Sequence, residues 1–253
     1  YRVTLVLAMV VLGGGIAYRG GRDPYWRQLS WSARIEAIFY VTLAGLGGAF
    51  LLGTLPYALA RLLQASADAG GIGSSGALAG GVLAWCILAR RRGYSIGQGL
   101  DLVAPLLPLA LATARVGCIS AGCCWGRPTL AWPALFLPDV YGHWAWRYPT
   151  QLISLIVNLL LFVLILLLER SEKPLWRRFD GALFLIYVIF FGIQDFIFAF
   201  WRADLPILWG FLTWNQFYVL LGVLLAVAIF VRHWRRVKAV SYTHLTLPTI
   251  YSV

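Results

Sequence analysis

The stretch Ala-Arg-Val-Gly-Cys-Ile-Ser-Ala-Gly-Cys-Cys-Trp-Gly-Arg-Pro-Thr, residues 114–129, gathers side chains able to do chemistry within a chain that is otherwise nearly continuous apolar sequence. Arg115 and Arg127 can hold an anion, because a guanidinium offers a planar fork of donors to phosphate or carboxylate. Cys118, Cys123 and Cys124 carry thiols, which bind soft metals, pair as disulfides, or act as small apolar residues in a tight turn. A Cys-x4-Cys-Cys pattern with no second ligand pair and no histidine close in sequence does not favour zinc; the disulfide and the plain turn both stay open. Cys86, inside an apolar run, reads as a packing residue.

A charged side chain placed in lipid costs about 2.5–3.5 kcal/mol even on the lenient insertion scale. Arg115 therefore either faces a polar cavity and marks a site, or snorkels to the interface as an anchor. His143, in Tyr-Gly-His-Trp-Ala-Trp-Arg, has the chemistry of a general base near neutral pH, though a loop histidine flanked by aromatics also fits a plain interfacial residue. Asp195 and Arg202 fall on one face of a predicted helix and are expected to pair inside the bundle. Gly76 and Gly80 form a small-xxx-small pair suited to close helix packing. No P-loop, Rossmann fingerprint or zinc-protease motif is present, and no cofactor is expected.

The elements that position these residues follow from composition. The chain is 60% hydrophobic and 12% charged, with 12 tryptophans in 253 residues, too apolar for an ordinary soluble domain. Apolar runs near the length of a bilayer-crossing helix recur over residues 3–18, 35–60, 72–89, 98–115, 150–168, 181–201 and 214–231. The fold class expected is all-α, a polytopic membrane protein of about seven transmembrane helices. Pro105 and Pro108 predict a kinked helix leading to Arg115.

The net charge of +11 comes from basic clusters at the ends of apolar runs, not from a stripe interleaved with aromatics, so anionic lipid is the expected partner and nucleic acid is not. Arg19, Arg22, Arg27 and Arg34 follow the first span, Arg90 to Arg92 the third, Arg170, Lys173, Arg177 and Arg178 the fifth, and Arg232, Arg235, Arg236 and Lys238 the seventh. All four clusters fall on one side. The positive-inside rule makes that side cytoplasmic, with the N-terminus outside, the C-terminus cytoplasmic, and Arg61, the Cys-rich loop, Arg147 and Arg202 at or near the outer face. The sequence opens on Tyr1, and its one Met is Met9, so a truncated or processed N-terminus is expected. Residues 1–239 read as one transmembrane domain and a monomer; the uncharged, Thr-rich tail 240–253 reads as non-native.

An ordered series of motifs resembles a known family. Asp-Leu-Val-Ala-Pro, Arg-Val-Gly, Trp-Gly-Arg-Pro-Thr, Tyr-Pro-Thr-Gln-Leu and Gly-Phe-Leu-Thr-Trp-Asn-Gln-Phe, between Gly71 and Gln216, are similar to the prolipoprotein diacylglyceryl transferases of bacterial inner membranes. The resemblance implies a seven-helix bundle with its N-terminus outside. It also implies transfer of a diacylglyceryl group from phosphatidylglycerol, or another anionic phospholipid, to the lipobox cysteine thiol at a prolipoprotein signal peptide. Arg115 falls on the family's essential arginine, with Gly117, Gly122, Gly126 and Arg127 also matching, while Cys118 replaces an asparagine. Pro149, Gln151 and Leu152 match the start of the fifth helix, and Arg202 matches the last arginine of the sixth. Ser75, before Gly76, stands where the family places a functional histidine. Asp195 stands in the place of an arginine and Ala199 in that of a glutamate. Three functions follow: an active lipid-to-thiol transferase with an altered base, a relative acting on another lipid or acceptor, and a noncatalytic lipid-binding or transport protein. The resemblance ranks the transferase first. The candidate site residues are Arg115, from the resemblance, and His143, from its own acid–base chemistry, for catalysis, and Ser75, Gly76, Cys118, Gly126, Arg127, Gln151, Asp195 and Arg202 for substrate.

Overall fold

The computed structural model describes residues 2–62, 73–171 and 179–245. Lys173, Arg177 and Arg178 of the third basic cluster, Gly71, and the end of the tail lie outside the described residues, as do the side chains of Arg61 and Lys238.

Helices occupy all seven predicted spans. They are α1 (Arg2–Gly20), α3 (Trp31–Leu62), α4 (Ser74–Arg92), the pair α5 (Ile96–Val103) and α6 (Leu106–Ala121), α7 (Thr150–Arg170), α8 (Ala182–Ala199) and α9 (Trp214–Leu245), with a short α2 (Pro24–Gln28) after the first. Four described helices are long and apolar enough to cross a bilayer: Trp31–Leu59, Thr150–Arg170, Ala182–Ala199 and Trp214–Arg236. The α5–α6 pair makes a fifth, bent by 41°. The bend lies where Pro105 and Pro108 remove backbone donors from the helix ladder. The apolar part of α1 is shorter, Val6–Gly20, and α4 is rich in Gly and Ala and ends on three arginines.

Two small hairpins add to the all-α plan. Strands β1 (Leu135–Pro138) and β2 (Trp144–Arg147) pair antiparallel, as do β3 (Ile207–Trp209) and β4 (Leu212–Thr213). Helix α9 runs from Trp214 to Leu245.

Packing between helices that face lipid gains little from the hydrophobic effect, so close backbone approach and dispersion must hold them. The α3–α4 contact shows this directly. A Cβ at Gly76 would collide with the Gly48 carbonyl, one at Gly48 with the Gly76 carbonyl, and one at Gly80 with the Ala44 carbonyl. The small-xxx-small pair thus lets two backbones touch. Between the other helices the core is Ala104, Leu161, Ile165, Leu183, Phe184, Tyr187 and Phe191, while leucines such as Leu160 and Leu221 stay exposed along the outside.

One end of the bundle collects the charges that the basic clusters announced. Arg19 Nη1 donates to Glu169 at 2.9 Å, joining α1 to α7, and Arg92 Nη2 donates to Glu36 at 2.6 Å, joining α4 to α3. Asp101 accepts the backbone N–H groups of Gly181 and Phe184 at 2.7 and 2.9 Å, satisfying donors at the start of α8 that its own ladder cannot. The hairpins and the Cys-rich loop belong to the other end, after α6 and α8 and before α7 and α9.

Candidate active site

Helix α6 delivers Arg115 and Cys118 and then stops. Gly122 terminates it in the left-handed conformation, φ 66°, which costs glycine nothing. Cys124 follows with φ 56°, the one positive-φ residue other than glycine among the described residues. A non-glycine residue there is strained and persists only where its surroundings over-determine it. Those surroundings are the first residues of α7. Thr150 Oγ1 donates to the Cys124 carbonyl at 2.7 Å and Gln151 Nε2 to the Cys123 carbonyl at 3.0 Å.

Beyond Cys124 the chain is clamped on both sides. Arg127 N–H donates to the Trp201 carbonyl at 2.7 Å and Ala203 N–H to the Trp125 carbonyl at 3.0 Å, so Gly126 bridges Arg202. On the other side Tyr148 N–H reaches the Arg127 carbonyl at 3.2 Å. A Cβ on Gly126 would strike the Tyr148 carbonyl, which is why this position needs glycine. Arg127 itself is exposed, and its Nε donates to the Arg202 carbonyl at 3.2 Å; it ties the two loops together.

Inside this frame a small cavity is lined by Arg115, Cys124, Thr150, Ser154, Asp195, Phe198 and Arg202. It has room for about one water molecule. Arg115 Nη1 donates to Cys124 Sγ at 3.2 Å. Arg202 donates from Nε and Nη2 to the two Asp204 oxygens at 2.8 and 2.6 Å. The expected Asp195–Arg202 pair is therefore corrected: α8 ends at Ala199, so helical spacing no longer governs Arg202, and Asp204 two residues on offers both carboxylate oxygens. Asp195, buried on α8, instead accepts from Asn215 Nδ2 at 3.0 Å.

That contact is one link in a chain. Asn215 Oδ1 accepts from Tyr218 OH at 2.7 Å, and Ser75 Oγ donates to the same hydroxyl at 3.5 Å. Ser75 and Asp195, two of the positions at which the resemblance implied a departure, are thus the ends of one hydrogen-bonded run from α4 through α9 to α8. Gly76, next to Ser75, faces α3, where it packs on Gly48.

His143 is elsewhere. It sits beside the β1–β2 turn with its side chain 77% exposed and its Nδ1 3.5 Å from Asp139 Oδ2; it is not among the residues lining the cavity. Asp139 also takes Arg147 Nη2 at 3.0 Å and the backbone N–H groups of Tyr141 and His143 at 2.9 and 3.0 Å. Desolvation pushes the Asp139 carboxyl up, but the two N–H donors and the charges of His143 and Arg147 outweigh it and hold it below its ordinary value.

The cysteines converge. The sulfurs of Cys118, Cys123 and Cys124 all lie within 4.8 Å of one another, and each is a free thiol. The two-residue stop at Gly122 and Cys123 and the left-handed turn at Cys124 fold the chain back over Cys118.

Comparison with known proteins decides the family. The family model for prolipoprotein diacylglyceryl transferase matches residues 1–232. The chain belongs to this family. Its relatives include the phosphatidylglycerol-prolipoprotein diacylglyceryl transferase of Clostridium tetani, 30% identical over 77% of this chain and 80% of that protein. The protein of the same name from Bordetella avium is 30% identical over 92% of this chain and 88% of its own length. That of Hydrogenovibrio crunogenus is 26% identical over 90% and 91%.

Several residues of the site escaped the sequence reading. Ser154 and Phe198 line the cavity, Asn215 and Tyr218 carry the polar run, and Asp204 orients Arg202. Thr150 and Ser154 are one helical turn apart on α7, and Asn158, 1% exposed, continues the same stripe. A line of polar residues at helical spacing in an apolar span was the available signal.

Proposed function

We propose that this protein transfers the diacylglyceryl group of phosphatidylglycerol to the thiol of a lipobox cysteine in a prolipoprotein, at the cavity between α6, α7 and α8. The observation that carries the reading is the joint presence of Arg115 and Arg202 on one cavity wall in a chain of this family. The reaction breaks the bond between the glyceryl carbon and the phosphate oxygen, so the enzyme must steady a leaving phosphate. Arginine forks do this by charge-assisted hydrogen bonds that strengthen as charge develops. Among the described residues, Asp204 engages Nε and Nη2 of Arg202 and leaves Nη1, while Arg115 has its Nη2 and Nε beyond the contact to Cys124. The phosphate enters by local side-chain rearrangement, since the cavity is smaller than a headgroup.

In this reading the chain crosses the bacterial inner membrane seven times with its N-terminus outside, α1 and α4 serving as the two short spans. The cavity and both hairpins face outward, where secreted substrates arrive; the basic clusters favour that orientation. The polar run from Ser75 to Asp195 links the bundle to the cavity wall in place of the family's histidine and arginine.

The test is functional replacement. In a bacterium whose own transferase is depleted, expression of this chain should restore lipidation of a reporter lipoprotein, and the Arg115→Ala variant should not. Unlipidated reporter at normal levels of inserted protein would reject the assignment.

A further inference from the structure

The three converging thiols stand beside the arginines assigned to the phosphate, and the proposed function names no group that takes the proton of the acceptor cysteine. We propose that Cys118, Cys123 and Cys124 form a three-thiolate site for a divalent thiophilic cation, zinc foremost, whose fourth position takes the acceptor cysteine thiol. This inference rests on the transferase reading for its fourth ligand, but not for its first three.

Geometry comes first. A metal bound at the usual ~2.3 Å Zn–S distance sets its sulfurs about 3.8–4.0 Å apart. The three sulfurs already lie within 4.8 Å of one another, so closure around an ion needs only rotamer-scale movement. The backbone is fixed for it: Thr150 and Gln151 hold the carbonyls of Cys124 and Cys123, the kind of outer support that keeps metal ligands in place. Among the described residues no histidine or carboxylate joins the cluster. Three protein ligands and one open position is the pattern of catalytic, not structural, zinc.

Charge argues for a divalent ion. Three thiolates and one dication carry a net charge of −1, and the Arg115 guanidinium, 3.2 Å from Cys124 Sγ, supplies one positive charge. Arg202 is already matched by Asp204. Position argues for catalysis. Cys124 lines the same cavity as Arg115 and Arg202, so a metal there stands beside the place assigned to the leaving phosphate. A thiol bound to such a metal is deprotonated outright. The step then balances without any redox change. The acceptor thiol releases its proton and binds as thiolate, its sulfur forms a bond to the glyceryl carbon, the carbon–oxygen bond breaks, and its electron pair stays on glycerol phosphate, which takes up the proton.

The experiment uses the full-length, detergent-solubilised protein, stripped of metal under reducing conditions. Titration with Cd²⁺ should develop thiolate-to-metal charge-transfer absorption that saturates at one equivalent. Cys118→Ser, Cys123→Ser and Cys124→Ser should each weaken binding at least tenfold, and Cys86→Ser should not. With Co²⁺ in the site, a cysteine peptide carrying a lipobox should shift the visible spectrum and its serine counterpart should not. Absence of saturable binding, binding indifferent to the three serine variants, or a stable disulfide among these thiols in protein taken from the membrane would overturn the site. Full diacylglyceryl transfer by the metal-free protein would overturn its role. If the metal and the peptide bind as stated but phosphatidylglycerol yields no adduct, the metal site stands and the donor assignment fails.

Discussion

Arg115 and Cys124, nine residues apart, meet at 3.2 Å across the turn that ends α6. The contact places a guanidinium and a thiol on one wall of the cavity that also contains Arg202. An anchoring arginine that snorkelled to the interface would have no reason to turn toward a sulfur inside the bundle.

If Arg115 grips the lipid phosphate, Arg115→Ala should weaken binding of phosphatidylglycerol by about 1.5–3 kcal/mol, roughly 10- to 150-fold, the range for hydrogen bonds to charged groups. Arg115→Lys should recover part of this, because an ammonium restores the charge without the fork. Equilibrium binding of a labelled lipid to correctly inserted protein is the measurement, and equal affinities across the three proteins would refute the role.

Asp195 places a carboxylate in the lining of the cavity proposed to take the lipid phosphate. Asp195→Asn keeps a group able to hydrogen-bond Asn215 and removes that charge, so anionic lipid should bind more tightly, on the order of fivefold or ~1 kcal/mol at an intermediate dielectric. A zwitterionic lipid should show no such gain. Unchanged or weaker binding of phosphatidylglycerol would mean that Asp195 does not oppose the headgroup.

The β1–β2 arm should respond to acid and not to mild base. Asp139 has its carboxyl pKa lowered in the folded arm, so its stabilising effect is fully present above the unfolded value and is lost as pH falls through the folded one. Amide hydrogen exchange of residues 135–147 should be slow and level through neutral pH, after correction for intrinsic rates, and should accelerate only below the ordinary carboxylate range. Asp139→Asn should show fast exchange at every pH. An arm equally protected in that variant would show the ion cluster to be incidental.

Topology is tested by labelling. In a background with the native cysteines replaced, His143→Cys should react with a membrane-impermeant maleimide added to intact cells, and Arg91→Cys should react only after permeabilisation. The opposite pattern would put the cavity on the cytoplasmic side.

The sequence made some of this architecture legible and hid the rest for definable reasons. Apolar length and the prolines located the helices and the bend between α5 and α6, because both signals are local, though among the described residues only four helices, or five with the bent pair, are long and apolar enough to cross a bilayer. The glycine pair in α4 pointed to close packing, and Gly76 against Gly48 is that packing. Arg202 was read as helical because the apolar run extends past Ala199, but the turn there follows from backbone pairing with Trp125 and Arg127, which no local pattern shows. Its pairing with Asp195 failed for the same reason. The thiols were the hardest: Cys118 lies on a helix and Cys124 beyond a left-handed turn, and spacing alone cannot say that the turn folds one onto the other. The polar run through Tyr218 and Asn215 joins three helices, so its members are far apart in sequence.

The central claim is tested most directly by incubating the purified protein with phosphatidylglycerol and a peptide containing a lipobox cysteine, then weighing the peptide. The account predicts a diacylglyceryl thioether on that cysteine, released glycerol phosphate in equal amount, and loss of both with Arg115→Ala. A peptide of unchanged mass in the presence of bound lipid would contradict it.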